Sequence, residues 1–260
     1  RVLAELGAQE RHREEQLRAL AARVDEFVSV SCPACGSAGQ PAFRKLGFEY
    51  QRCAVCRTAF MSPRPTEALL HAFYGQSRTY AYWNRHIFPA SEAARRQRIF
   101  VPRVERVLEL CTRFQVRPGV LLEIGAGFGT FCEELASRKV FTEVVALEMT
   151  PDLAATCRGR GLRVVEQAVE KLDWPAASVD VLVSFETLEH LYSPRDFLQA
   201  CNRLLAPGAR LPSVRQCAQQ NGVSPSTVVA AYDQLLALGL VEARKNRGFF
   251  VRDSGGADTA

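Results

Sequence analysis

Two Cys-x-x-Cys pairs, Cys32-Pro-Ala-Cys35 and Cys53-Ala-Val-Cys56, stand seventeen residues apart in the 260-residue chain. Few patterns restrict local folding so tightly. Each pair turns two thiolates toward one point, and four thiolates complete a closed tetrahedral zinc site. Pro33 stiffens the first turn, and Gly36 permits a positive φ at its exit. The stretch Phe43–Tyr50 between the pairs suits a small hairpin. A closed site leaves no coordination position free, so the Zn2+ expected at Cys32, Cys35, Cys53 and Cys56 is structural. A reactive dithiol pair is the alternative. The other five cysteines are scattered, and nine is an odd total. With a charged stretch at Arg1–Glu15 in place of an export signal, this argues for a reducing, cytoplasmic setting.

Val2–Phe27 reads as one amphipathic helix. Leu3, Leu6, Leu17, Leu20, Val24 and Phe27 fall on a heptad seam broken by Glu10 and Arg13. Such a helix lies against its own domain, or forms a short dimer seam. Residues 63–90 read as irregular and aromatic. A helical pattern returns over Ser91–Arg117, with Arg95, Arg96, Arg98, Arg103, Arg106 and Arg113 on a face expected to be solvated.

The period then changes. Val120–Ile124, Val144–Leu147, Arg163–Val165 and Val179–Ser184 are short apolar runs. Between and after them lie the helical stretches Thr130–Ser137, Pro151–Arg158 and Pro194–Leu205. Strand–helix alternation predicts βαβ units, a parallel sheet and an α/β fold class. The net charge of +5 permits a nucleic-acid partner without requiring one. No apolar run is long enough to span a membrane.

Glu123-Ile-Gly125-Ala-Gly127-Phe-Gly129-Thr130 follows a strand and opens a helix. Glycines there admit close backbone approach to a ligand at a helix N-terminus. Alone, the pattern also fits a dinucleotide site. Glu148 ends the next strand, where a carboxylate can accept both ribose hydroxyls. Phe185-Glu186-Thr-Leu-Glu189-His190 follows the fourth strand. Glu186, Glu189 and His190 suit a divalent-ion site or a general base; loop support is the alternative.

Leu121–Gly129, Ala146–Glu148, Leu172–Asp180 and Val183–His190 together resemble the class I S-adenosylmethionine methyltransferases, in their ubiquinone-biosynthesis-like branch. With Phe60-Met-Ser-Pro-Arg64-Pro65 and Phe73-Tyr74, the cysteine unit is similar to a subgroup with an N-terminal zinc ribbon. The resemblance covers about residues 30–208. It implies S-adenosylmethionine as cofactor, bound at Glu123, Gly125, Gly127 and Gly129 with the glycines along its methionine moiety and Glu148 on its ribose, and a small-molecule methyl acceptor. Ala168 stands where the family often has Asp, leaving the Val169 N–H to contact adenine. The family's sheet has seven strands, and strands five to seven are missing after Pro207-Gly208.

Two helices, Ser213–Asn221 and Ser224–Leu238, and two strands, Leu240–Lys245 and Gly248–Arg252, follow. Ser224 suits an N-cap with Pro225 at the first helical position. Leu211-Pro-Ser-Val-Arg215, Val223-Ser-Pro-Ser226-Thr227 and Gly239–Val251 resemble the winged helix-turn-helix of the GntR regulators. The resemblance implies DNA contacts at Arg215, Ser224, Ser226, Thr227, Lys245 and Arg247. Residues 209–252 hold six Arg or Lys against two acids, a footprint suited to phosphates. Asn246 replaces the family's first wing glycine. A hairpin completing the methyltransferase sheet is the alternative reading of 240–252.

The expected order is therefore an amphipathic helix (1–30), a zinc ribbon (31–62), a helical linker (63–118), a cofactor-binding half domain (119–208), a winged helix (209–252) and a disordered tail (253–260). Both families lose core elements at Pro207-Gly208, as a chimera would.

Overall fold

The structure, a computed structural model, describes residues 11, 14–75, 78–205, 211, 214–221, 224–244 and 248–252. Its strands are β1 (Gly39–Lys45), β2 (Phe48–Cys53), β3 (Ala59–Met61), β4 (Val120–Ile124), β5 (Glu143–Leu147), β6 (Arg163–Val165), β7 (Val181–Ser184), β8 (Val241–Arg244) and β9 (Gly248–Val251). Its α-helices are α1 (14–21), α2 (Glu67–Gly75), α3 (Arg78–Tyr82), α4 (Phe88–Arg95), α5 (Val101–Arg113), α6 (Thr130–Ser137), α7 (Pro151–Gly159), α8 (Pro194–Leu204), α9 (Val214–Asn221) and α10 (Pro225–Ala237). They form two compact units. One is drawn from Arg1–Val28, Arg64–Leu172 and Val181–Tyr192, the other from Ser29–Pro63, Asp173–Asp180 and Ser193–Ala260.

The first unit is built on a parallel sheet ordered β6-β5-β4-β7. Its register sets Ile124 beside Leu147 and Ser184, and Leu147 beside Val165, so the strands end along one edge. The loops that follow them therefore open on the same side. Val104, Val107, Leu121, Phe131 and Leu135 form its core. Each such side chain contributes about 1.5–3 kcal/mol on burial. β4 is buried from Leu121 onward, whereas all four residues of β7, the edge strand, are half-buried. Among the described residues this sheet has four strands.

Residues 78–113 form one continuous helical arm. Two π turns, Trp83–Ile87 and Arg96–Phe100, join α3, α4 and α5. Each stands just ahead of a proline, Pro89 or Pro102, in the first turn of the next segment. Proline lacks an N–H and clashes with the carbonyl four residues back, and a widened turn relieves both faults. The expectation of an irregular 63–90 is thus corrected. Aromatics and prolines disguised a helix that absorbs them by bulging.

The N-terminal helix is shorter than its heptad pattern predicts. α1 ends at residue 21, and a 3-10 turn, Val24–Glu26, follows, held by Arg23 hydrogen bonds to Glu26 at 2.6 and 2.7 Å. Val28 then pairs antiparallel with Arg64, which draws the chain out of helical conformation. Leu20 is buried, but Val24 is exposed. Leu3, Leu6, Glu10 and Arg13 lie outside the described residues.

In the second unit, β1-β2-β3 is an antiparallel sheet whose core is Cys32, Cys53 and Phe60. α8 starts at Ser193, whose hydroxyl accepts from the Asp196 N–H, and buries Phe197, Ala200, Cys201 and Leu204. Beyond it, Leu205 makes a single parallel bridge to Val179. α9, α10 and the β8–β9 hairpin share a core of Ala218, Val228 and Tyr232, with Phe249 edge-on to Tyr232 at 5.0 Å.

Candidate functional site

The glycine loop leaves β4 and opens α6. Gly125, Gly127 and Gly129 all take positive φ, at 79°, 57° and 76°. A Cβ at Gly125 would stand 2.4 Å from the Thr187 hydroxyl, and one at Gly129 would stand 2.8 Å from Cys157 Sγ. Nothing lies within 4 Å of the same position at Gly127. The outer glycines are therefore packed from within, while Gly127 faces open space.

Glu148 closes the loop from the end of β5. One carboxylate oxygen accepts the Gly127 N–H and the other the Thr150 N–H, both at 2.8 Å. The group is 7% exposed. Its remaining lone pairs can still accept from ligand hydroxyls. Val169 is buried in the 3-10 turn Val169–Lys171.

Glu123 sits deeper. It is 3% exposed and accepts a hydrogen bond from Cys132 Sγ at 2.9 Å. Burial pushes its carboxyl up to about 8, against the opposing pull of the Cys132 bond and Arg103. Burial likewise lifts the Cys157 thiol to about 12, and Cys157 donates to the Gly127 carbonyl at 3.3 Å. Glu123 thus lies under the loop with its carboxyl turned to Cys132.

Glu186, Glu189 and His190 are all exposed at the exit of β7. Glu186 takes a positive φ of 53° and meets Arg103 at 3.2 Å. The Arg103 guanidinium also covers the Phe185 ring at 4.5 Å. His190 Nδ1 lies 2.8 Å from the Tyr74 hydroxyl. Among the described residues, the one group of His, Cys, Asp or Glu side chains gathered for a metal is the four-cysteine set; Glu186, Glu189 and His190 do not converge.

The helical arm meets the loop through side chains the sequence did not single out. Phe88 packs on Phe128 at 5.3 Å, and the Arg160 guanidinium covers Phe128 at 4.2 Å. Glu92 accepts from Arg160 at 2.6 and 2.8 Å and from the Thr130 hydroxyl at 3.3 Å. Arg96 pairs with Glu92, Glu133 and Glu134. The expectation of a solvated basic face is corrected at these positions. Arg96 and Arg103 have acidic partners, and Arg95 stacks between Phe88 and Phe100. Glu92 stands one helical turn before Arg96, and Phe88 and Phe100 lie on the same arm as Arg95. Glu133, Glu134 and Glu186 are distant in sequence, so no local spacing signals those pairs. Arg64 donates to the Tyr192 carbonyl at 2.7 Å and covers that ring.

The four cysteines meet. Their sulfurs all lie within 4.8 Å of one another, with Cys32–Cys56 at 3.5 Å and Cys35–Cys53 at 3.3 Å. Four thiolates about 2.3 Å from one tetrahedral ion would stand about 3.8 Å apart, inside that range. The two knuckles repeat each other. Gly36 N–H donates to the Cys32 carbonyl and Arg57 N–H to the Cys53 carbonyl; Cys32 N–H donates to Ser37 and Cys53 N–H to Thr58. Gly36 and Arg57 both take positive φ, at 74° and 64°.

In the tail, Ser224 immediately precedes α10, and its hydroxyl lies 2.7 Å from that of Ser226. Arg215 on α9 is exposed. Arg244 is engaged by Glu242 at 2.5 Å and by the Phe250 ring. Lys245 and Arg247 lie outside the described residues, as does the Thr227 side chain. No helix among the described residues is long and apolar enough to cross a membrane.

Comparison with known proteins assigns these parts. Residues 122–212 match the family model of the methyltransferase domain, and residues 201–251 match that of bacterial regulatory proteins of the gntR family. The chain is 33% identical over 98 residues to a ubiquinone biosynthesis O-methyltransferase of Xanthomonas oryzae pv. oryzae, covering 35% of this chain and 40% of the relative. It is 39% identical over 57 residues to the uncharacterized HTH-type transcriptional regulator YhcF of Bacillus subtilis, covering 22% of this chain and 47% of that one. The solved structure of SAM-bound CalS10, an amino pentose methyltransferase from Micromonospora echinaspora, aligns at 27% identity and a TM-score of 0.40, over 46% of this chain and 52% of that one. The chain thus spans less than half the length of the two sequence relatives. It joins a methyltransferase domain to a gntR-family domain, and the two matches share residues 201–212.

Proposed function

We propose that this chain binds S-adenosylmethionine at its glycine loop, binds duplex DNA through its winged tail, and holds one structural zinc in its ribbon. The observation that carries the cofactor reading is the open side of Gly127 beside the acceptor-only Glu148. Gly125 and Gly129 line the methionine end, Glu148 accepts from the ribose hydroxyls, and the Val169 N–H meets adenine. Glu123 supports the loop from beneath. The bound cofactor supplies a methyl group already activated on a sulfonium, so alignment of a small-molecule acceptor would supply most of the remaining effect. In that reaction His190, oriented by Tyr74, takes the acceptor's proton, and Glu186 and Glu189 flank the entrance. Cys32, Cys35, Cys53 and Cys56 hold zinc with no position left for chemistry.

In the tail, Arg215, Ser224, Ser226 and Thr227 present the start of α10 to DNA, with Lys245 and Arg247 in the wing. The ribbon (31–62), the cofactor-binding half domain (119–208) and the winged helix (209–252) are the parts that carry these roles.

Calorimetric titration of S-adenosylmethionine into zinc-loaded protein tests the first part. Saturable binding is expected, and Gly127→Asp should abolish it while leaving the protein folded. Unchanged affinity in that variant removes the proposed site. A second reading keeps the DNA-binding tail and makes the methyltransferase half a scaffold. The four-stranded sheet with β7 at its edge favours it. It is selected if no cofactor binds while DNA still does.

A further inference from the structure

The ribbon sheet carries a second surface. Successive residues of a strand alternate between faces, so Phe48, Tyr50 and Arg52 share one face of β2. The pairing of β1 places Lys45 beside Phe48, Phe43 beside Tyr50 and, past the shift between Pro41 and Phe43, Gln40 beside Arg52. One face therefore presents an aromatic pair between two cations. Phe43 and Tyr50 are stacked, with ring centroids 4.8 Å apart and planes 10° apart. Phe43 is 44% exposed, an unusual state for so large an apolar ring.

The charges around this pair are arranged for an anion. Residues 39–61 hold Arg44, Lys45, Arg52 and Arg57 against Glu49 alone. Arg44 lies 4.0 Å from Glu49, which belongs to the opposite face. Lys45, Arg52 and Arg57 are exposed. Gln40, Phe43, Arg52 and Arg57 help line a concavity of about 500 Å³. That combines an aromatic platform, an amide that can both donate and accept, and two arginines, Arg52 and Arg57, at one concavity. Single-stranded nucleic acid is recognised by this combination, with bases stacking on rings and phosphates on cations. An acidic peptide would satisfy the cations and leave the exposed ring face bare.

We infer that the Phe43–Tyr50 face of the zinc ribbon is a binding site for single-stranded nucleic acid. The site uses residues other than those of the winged tail and of the glycine loop.

The test is fluorescence anisotropy of labelled twelve-nucleotide oligo(dT) and oligo(U) with full-length, zinc-loaded protein. The tail contributes equally to wild type and ribbon variants, so their difference isolates the ribbon. Phe43→Ala should weaken binding about tenfold or more, with zinc content unchanged. Arg52→Ala with Arg57→Ala should lower the salt slope by about 1.4, the value for two phosphate contacts on a single strand. Phe43→Trp, which keeps a platform, should retain affinity and serves if Phe43→Ala loses zinc. A preference between the two oligomers distinguishes DNA from RNA. The inference is overturned if neither oligomer binds saturably at low salt, if the arginine pair and a zinc-loaded Phe43 variant match wild type, or if poly-glutamate competes as well as the oligonucleotide.

Discussion

At the residue scale, two positions make sharp tests. Glu123 is a carboxyl held neutral by burial, with its folded value near 8 against an ordinary 4.5. Below pH 4.5 both folded and unfolded chains keep the proton. Between 4.5 and about 8 the unfolded chain releases it and the folded one does not, so stability falls as pH rises, by up to about 1.4 kcal/mol per pH unit. Glu123→Gln is neutral throughout and should flatten that slope. Urea denaturation of both proteins from pH 5 to 8 measures it, and parallel curves would show that the carboxyl ionises inside the fold. Gly125 makes the complementary case. Its φ of 79° and the Thr187 hydroxyl at 2.4 Å leave no room for a methyl group. Gly125→Ala should destabilise by about 2 kcal/mol or more, read as a fall in thermal midpoint. The sequence announced these glycines through their spacing. It gave no sign that Glu123 points to Cys132, because that pairing depends on how α6 lies against β4.

At the element scale, the ribbon and the helical arm are held by different means. The ribbon's buried core is little more than Cys32, Cys53 and Phe60, too small to fold a three-stranded sheet unaided. Chelation should abolish hydrogen-exchange protection at Tyr50 and Arg52 while Val145 and Ala146 stay protected. Protection that survives chelation would show that the sheet needs no metal. The arm is fastened by charge. Arg160 is 14% exposed on its side chain and reaches both Glu92 and Glu133. Arg160→Ala leaves those carboxylates with fewer partners and should cost about 2–3 kcal/mol, measured by denaturant midpoint. Strands β4 to β9, α6, α7 and α10 were legible because apolar runs and glycine or proline punctuation mark them locally, whereas β3 carries no such mark. The arm was not, since its prolines are accommodated by π turns and since Glu133, Glu134 and Glu186, which hold Arg96 and Arg103, lie on segments far away in sequence.

At the scale of the whole molecule, the proposed cofactor and duplex-DNA sites use separate residues. Gly127→Asp should remove cofactor binding and leave DNA affinity intact. Arg215→Ala should do the reverse, reducing the salt slope on duplex DNA by about one. Calorimetry and anisotropy on the same two proteins decide this, and a variant that loses both ligands would show that the sites are not independent. The methyltransferase and gntR-type segments were readable in order, because each announces itself in fewer than a hundred residues. The sharing of 201–212 by two families was legible only as the loss of core elements on either side of Pro207-Gly208. One detail of the cysteine knuckles bears on the whole chain's resilience. Gly36 adopts its left-handed turn freely, whereas Arg57 adopts the same turn at a cost of about 1 kcal/mol. In the proposed ribbon site that strained turn holds the Arg57 guanidinium toward phosphate. Arg57→Gly should therefore make the ribbon more durable and a poorer ligand binder at once, setting endurance against recognition at a single turn.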